Sequence, residues 1–151
     1  MKSRTANWFI CKITYEKVME DGLQKKVTET YVIDALTFTE AEARITEEMS
    51  SYISGEFFIK DLSIAPFKEI FFSEDEADKW YKAKLQFITI DEKTEKEKKT
   101  SVYYLVQAYS VENANHNINE VMGSTMIDFV IASVSETDTM DVFEYKAKEE
   151  E

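Results

Sequence analysis

The chain repeats itself, and that constrains its fold more than any other feature. Trp8-Phe9-Ile10-Cys11-Lys12-Ile13-Thr14-Tyr15 lines up with Trp80-Tyr81-Lys82-Ala83-Lys84-Leu85-Gln86-Phe87 at an offset of 72 residues. Tyr31-Val32-Ile33-Asp34-Ala35 then matches Tyr104-Leu105-Val106-Gln107-Ala108 at 73, one hairpin tip being a residue longer. Ala41, Ile45 and Met49 match Ala114, Ile118 and Met122. Phe57-Phe58-Ile59 matches Phe129-Val130-Ile131, and Ile70-Phe71 matches Val142-Phe143. The order is kept and the gaps fall in turns, which points to duplication rather than to two stretches of similar composition.

Each copy reads strand, strand, helix, strand, strand. Phe9, Cys11, Ile13 and Tyr15 alternate with Trp8, Ile10, Lys12 and Thr14, the period of two of a half-buried strand. Glu20-Asp21-Gly22 supplies a turn, and the matching tip Asp91–Lys99 is almost wholly charged. Thr37 and Ser110 occupy equivalent N-cap positions, and Thr37-x-x-Glu40 is a capping box. Ala41, Ile45 and Met49 recur every four residues, a narrow stripe suited to a sheet. Gly55 and Gly123 stand near the expected helix stops, and Pro66 separates the last two strands of copy one. The fold class is α+β: an internally duplicated unit about a pseudo-twofold axis, with two helices on about eight mainly antiparallel strands. The reading is a single domain, 1–151, with repeat one at 8–72, an acidic linker at 73–79, repeat two at 80–145 and a frayed tail at 146–151. A repeat of this size is marginal alone, so the copies are expected to share one core.

Charge and composition remove several function classes. Acidic residues outnumber basic ones 30 to 18, for a net charge of −12, the wrong sign for displacing counterions from phosphate. Residues 1–72 carry net −3 and residues 73–151 net −9, so the acidity is concentrated in the linker, second copy and tail. One cysteine and one histidine exclude a disulfide framework, a multi-cysteine zinc site and a two-histidine metal site within one chain. No apolar run approaches the ~20 residues of a membrane span, and Met1–Ala6 leads into no signal-peptide core. A cytoplasmic protein with no membrane partner and no direct nucleic-acid partner is expected.

The run Thr28-Glu29-Thr30-Tyr31-Val32-Ile33-Asp34-Ala35-Leu36-Thr37-Phe38-Thr39-Glu40-Ala41-Glu42-Ala43-Arg44 resembles an uncharacterised domain family. Its members are short proteins of Bacteroidetes-type bacteria and their phages or mobile elements. The Trp8 block, Glu97-Lys98 and Val106-Gln107-Ala108 resemble that family too, so the likeness covers most of the chain. The resemblance implies a cytoplasmic accessory protein of the kind phages carry, where small non-enzymatic inhibitors are common. It brings no functional residues to carry over.

Chemistry-bearing patterns are sparse. There is no nucleophile elbow, no glycine-rich phosphate loop and no paired metal-ligand motif, so no catalytic residues, no metal site and no cofactor are assigned. Cys11 alternates with Phe9 and Ile13 and reads as a buried small hydrophobe. Trp8 with Lys12, mirrored by Trp80 with Lys84, falls on the strand face opposite Phe9 and Tyr81. If that face is open, two such pairs offer stacking plus positive charge to an anionic, nucleotide-like ligand, or a hot spot to a partner protein. The opposing expectation is that each indole closes the core while the lysine stem covers it. The helices differ as well. Copy one carries Glu40, Glu42, Ala43, Arg44 and Thr46 on its outer surface, whereas copy two carries Asn113, Asn115, His116, Asn117 and Asn119. Asparagine is a mediocre helix former, so Asn115, His116 and Asn119 become candidates for a recognition face. Drift on a solvated helix is the plain alternative.

The expected function is a non-enzymatic binding protein that inhibits a host protein or sequesters a small anionic ligand. A homodimer through an edge strand is compatible with it. One alternative is an acidic nucleic-acid mimic blocking a DNA- or RNA-binding protein, although Lys93, Lys96, Lys98 and Lys99 interrupt its stripe. A structural assembly component is the other.

Overall fold

The computed structural model describes residues 1–145; the expected frayed tail, 146–151, lies outside the described residues. Among these are nine strands and two helices, confirming the α+β class. The strands are β1 (Lys2–Arg4), β2 (Trp8–Val18), β3 (Gln24–Asp34), β4 (Phe57–Ile64), β5 (Phe67–Phe72), β6 (Lys79–Ile90), β7 (Glu97–Ala108), β8 (Phe129–Glu136) and β9 (Thr139–Phe143). The helices are α1 (Phe38–Tyr52), between β3 and β4, and α2 (Val111–Met122), between β7 and β8.

Compact units and repeats do not coincide. Among the described residues the α1 unit comprises Ala6–Ala65 and residues 138–145, and the α2 unit comprises Met1–Thr5 and Pro66–Thr137. The four-stranded sheet of the α1 unit runs β4-β2-β3-β9, and the five-stranded sheet of the α2 unit runs β8-β6-β7-β5-β1. In each, the long central hairpin is antiparallel and its first strand also takes the strand that follows the helix. The fourth position is filled by a parallel strand, β9 on β3 and β5 on β7. So β5 joins the sheet of the later hairpin, β6–β7, and β9 that of the earlier one, β2–β3, pairings that the sequence reading left unassigned. Alternation tells a strand which face to bury but not which sheet to join.

The helices form where the capping chemistry placed them. Thr37 Oγ1 accepts the Glu40 N–H at 3.1 Å, and the Glu40 carboxylate accepts the Leu36 N–H at 3.1 Å. In α2 the Ser110 hydroxyl accepts the Asn113 N–H at 3.1 Å, and Asn113 Oδ1 accepts the Tyr109 N–H at 3.0 Å. Asn113 thus does in α2 what Glu40 does in α1. Gly123 caps α2 with an ordinary φ of −65°. Its missing side chain matters for space, since a Cβ there would meet the Asn119 carbonyl oxygen at 2.5 Å.

Two clusters of buried apolar side chains form, one under each helix. Phe9, Cys11, Ile13, Ile33, Ala41, Ile45, Met49 and Phe143 form the first. Phe71, Tyr81, Ala83, Leu85, Tyr104, Val106, Ala114, Ile118 and Met122 form the second. Period two sends Trp8, Val32, Trp80 and Leu105 to the sheet faces away from the helices, and these are buried as well. Both edge strands that follow a helix are bulged at matching points, with Lys60 unpaired opposite Lys12/Ile13 and Ala132 unpaired opposite Lys84/Leu85. Bulges, and a lysine at one of them, blunt an edge against adventitious pairing.

Candidate functional site

A stacking platform needs an open indole face, and of the two arrangements weighed from sequence the structure has the one in which the indoles are interior. Trp8 is 2% and Trp80 3% exposed, and Phe72 meets the Trp80 ring edge-on at 5.6 Å. Their backbones have a defined task. Trp8 O accepts the Ala65 N–H at 2.8 Å, and Trp80 O accepts the Thr137 N–H at 2.9 Å. Ala65 and Thr137 are the residues at which the chain leaves one compact unit for the other. Lys12 is exposed opposite Asp61 of β4, and Lys84 is half-buried opposite Ser133 of β8. With both indoles buried, the structure brings neither lysine to an open tryptophan face.

The asparagine-rich helix has local explanations. Asn117 is 8% exposed and turns inward to donate from Nδ2 to Gln107 O at 3.1 Å. Asn115 Nδ2 donates to Val111 O at 3.1 Å and Asn119 Nδ2 to Asn115 O at 3.0 Å, each folding back on its own helix. His116 is exposed, with Nε2 3.8 Å from Glu120 Oε2. It lines an open cleft of about 300 Å³ with Ser73, Glu74, Asn113 and Glu120, while Asn115 and Asn119 stay outside it.

Inward-turning Asn117 has a counterpart in Arg44, which the apolar stripe had placed outside. Arg44 Nη1 donates to Asp34 O and, at 2.7 Å, to Asp34 Oδ1; Asp34 is 4% exposed. Asp34 Oδ1 also accepts the Tyr145 N–H at 2.7 Å, just past β9. The second unit repeats this with neutral groups. Gln107 Oε1 accepts the Ser73 N–H at 3.0 Å, just past β5, and its Nε2 donates to Ala77 O at 2.7 Å. A polar side chain at the end of each hairpin, buried Asp34 in one and half-buried Gln107 in the other, thus holds the exit of the parallel strand beside it.

The surface that sequence reasoning missed is in the α1 unit. Thr14, Tyr15, Glu16, Lys26, Glu56 and Phe58 line an open cleft of about 490 Å³. Register builds it: Thr14 faces Thr28 and Phe58, and Glu16 faces Lys26. Phe58 is 54% exposed, and Lys26 Nζ stands 5.5 Å from its ring centre, within cation–π range. An aromatic on the outward parity of β4, between half-buried Phe57 and Ile59, was the available signal.

The titratable groups displaced from their ordinary range are held in their neutral forms. Cys11 is fully buried, and burial pushes its thiol from 9.0 up to about 12, so it is a poor nucleophile. Burial, then the neighbouring Glu29, pushes Tyr15 up to about 12 and raises Tyr31; burial, then Glu69, pushes Tyr104 up to about 12. These folded-state values lie above the unfolded ones, so the stability they contribute is whole below about pH 9 and drains as pH rises through 9 to 12. Melting temperature is expected to fall from about pH 9 upward in a pH series. Cys11 is expected to resist thiol reagents at pH 8 until the chain unfolds, as timed by absorbance with an aromatic disulfide.

Among the described residues no group of three or more His, Cys, Asp or Glu is arranged to hold a metal ion, and no helix is long and apolar enough to cross a membrane. No curated protein and no solved structure matches the chain. A family model matches residues 7–145, nearly all of the architecture described above, and the chain therefore belongs to the family described as Domain of unknown function (DUF4494).

Proposed function

We propose that this protein is a non-enzymatic binding protein and that its partner is another protein, engaged at the α1-unit cleft. The carrying observation is Phe58, an exposed aromatic on a sheet, with Lys26 over its ring and polar groups around it. An aromatic anchor inside a polar rim is the usual composition of a protein–protein hot spot. Charge favours the protein over the small anionic ligand considered from sequence. The cleft sets one cation, Lys26, against two carboxylates, Glu16 and Glu56, on a chain of net charge −12. A small anionic ligand meets repulsion there, whereas a protein offering an apolar side chain flanked by a basic one is complementary. In this reading the chain is a cytoplasmic accessory protein of a phage or mobile element, acting on a host protein.

The test is affinity capture from extract of the source cells with the native chain and with Phe58→Ser, Lys26→Glu and His116→Ala. A partner held by the native chain and by His116→Ala, weakened at least tenfold by Phe58→Ser, supports the cleft; tenfold is about 1.4 kcal/mol. Melting temperatures should stay close to native, because both cleft residues are exposed. A partner lost with His116→Ala and kept with Phe58→Ser would move the site to α2.

A further inference from the structure

The strand β9 is short, sits at a sheet edge and reaches that sheet from the other compact unit. Thr139, Asp141, Val142 and Phe143 lie parallel beside Thr30, Tyr31, Val32 and Ile33. Phe143 is 9% exposed and stacks on Tyr31 at 5.5 Å, while the Tyr145 N–H closes the exit on Asp34. Without β9, the edge of β3 would present unpaired backbone groups and an uncovered apolar seat. Everything that holds the strand belongs to its own sequence and to that seat. None of it requires strand and seat to share a chain.

What keeps β9 in its own molecule is the two-residue hinge Thr137–Asp138 after β8. The hinge is pinned at both ends. Thr137 donates from N and Oγ1 to Trp80 O at 2.9 Å, and the Asp138 carboxylate accepts from the Thr30 hydroxyl at 3.4 Å. Exchange of such an element between identical chains keeps the same contacts, so only hinge conformation and association entropy differ between the two arrangements.

We propose that residues 139–145 are an exchangeable strand: a second copy of this chain lays its β9 on the β3 seat and receives one in return. The seat selects this occupant by pattern. It takes a parallel strand whose last two residues are a β-branched aliphatic and an aromatic, followed two positions later by a backbone N–H for Asp34. Reciprocal exchange satisfies both seats, so the assembly closes as a dimer and does not propagate.

The test uses full-length chains carrying Cys11→Ala. A Thr30→Cys chain and a Thr139→Cys chain are mixed, unfolded, refolded together at high concentration and oxidised, with products read by non-reducing gel and native mass spectrometry. The paired register of Thr30 and Thr139 makes a disulfide-linked heterodimer the expected product, and deleting Asp138 should raise its share several-fold. A chain bearing both cysteines, refolded and oxidised at low concentration where exchange is suppressed, should close its bond internally, which checks the register. Only unlinked monomer from the mixture, with or without Asp138, beside closure in the double variant, would overturn the proposal. Failure of the double variant to close would overturn it too, because β9 would then not lie on β3. Homodimers of the single variants in equal yield would reduce the cross-link to random collision and count equally against it.

Discussion

Trp80→Ala is expected to cost about 3–5 kcal/mol of stability, the range for emptying a large buried side chain. For a chain of this size that lowers the melting midpoint by roughly 10 °C. The indole is 3% exposed and packs edge-on with Phe72, and nothing the size of a methyl can refill the space it leaves. The carbonyl that receives the Thr137 N–H survives the substitution, so the loss reports the side chain and not the crossover hydrogen bond. Trp8→Ala should behave alike, since that residue is 2% exposed. Lys12→Ala should stay within ~0.5 kcal/mol of native, as surface changes do. Chemical denaturation of these variants is the check. A change under ~1 kcal/mol for both tryptophans would place the indoles on an open face and revive the strand-face site.

Asp34→Ala should be comparably damaging by a different route. It leaves Arg44, 17% exposed along its side chain, without its carboxylate, and the Tyr145 N–H without its acceptor. Breaking a buried ion pair from one side costs about 3–5 kcal/mol because the remaining charge is stranded. The other unit suggests the rescue. Gln107 and Asn117 do the corresponding work there with no formal charge. Asp34→Gln combined with Arg44→Asn should therefore recover most of the loss, since replacing both partners removes the stranded charge. Denaturation midpoints of the single and double variants measure this coupling. Equal losses in both would mean that the two latches are not interchangeable and that the charge itself is required.

Much of the local structure is legible in the sequence. The alternation around Phe9 and Tyr81 places both inner faces, and Thr37 and Ser110 cap the helices they were assigned to. Ala41, Ile45 and Met49 are the buried stripe of α1, and Ala114, Ile118 and Met122 that of α2. The site was less legible. His116 lines a cleft, but Asn115 and Asn119 bond their own helix, and the two tryptophans are interior. An asparagine run looks the same in sequence whether its amides face a ligand or fold back on carbonyls four residues away. Phe58 was hidden inside an aromatic pair whose neighbour, Phe57, packs inward.

The division follows the range of the interactions. Strand period, capping boxes, turn tips and helix stripes depend on groups within about four residues of one another, so the order of side chains alone determines them. Which sheet receives β5 or β9 depends on a free edge more than twenty residues away, and β3 and β7 each offer an edge that takes a parallel strand. Local patterning cannot rank those edges; only assembled packing does, through Phe143 against Tyr31 and Phe71 against Tyr104. The same holds for Trp8 and Trp80. Sequence assigned their strand face, and tertiary structure alone decided that the two indoles on it are buried.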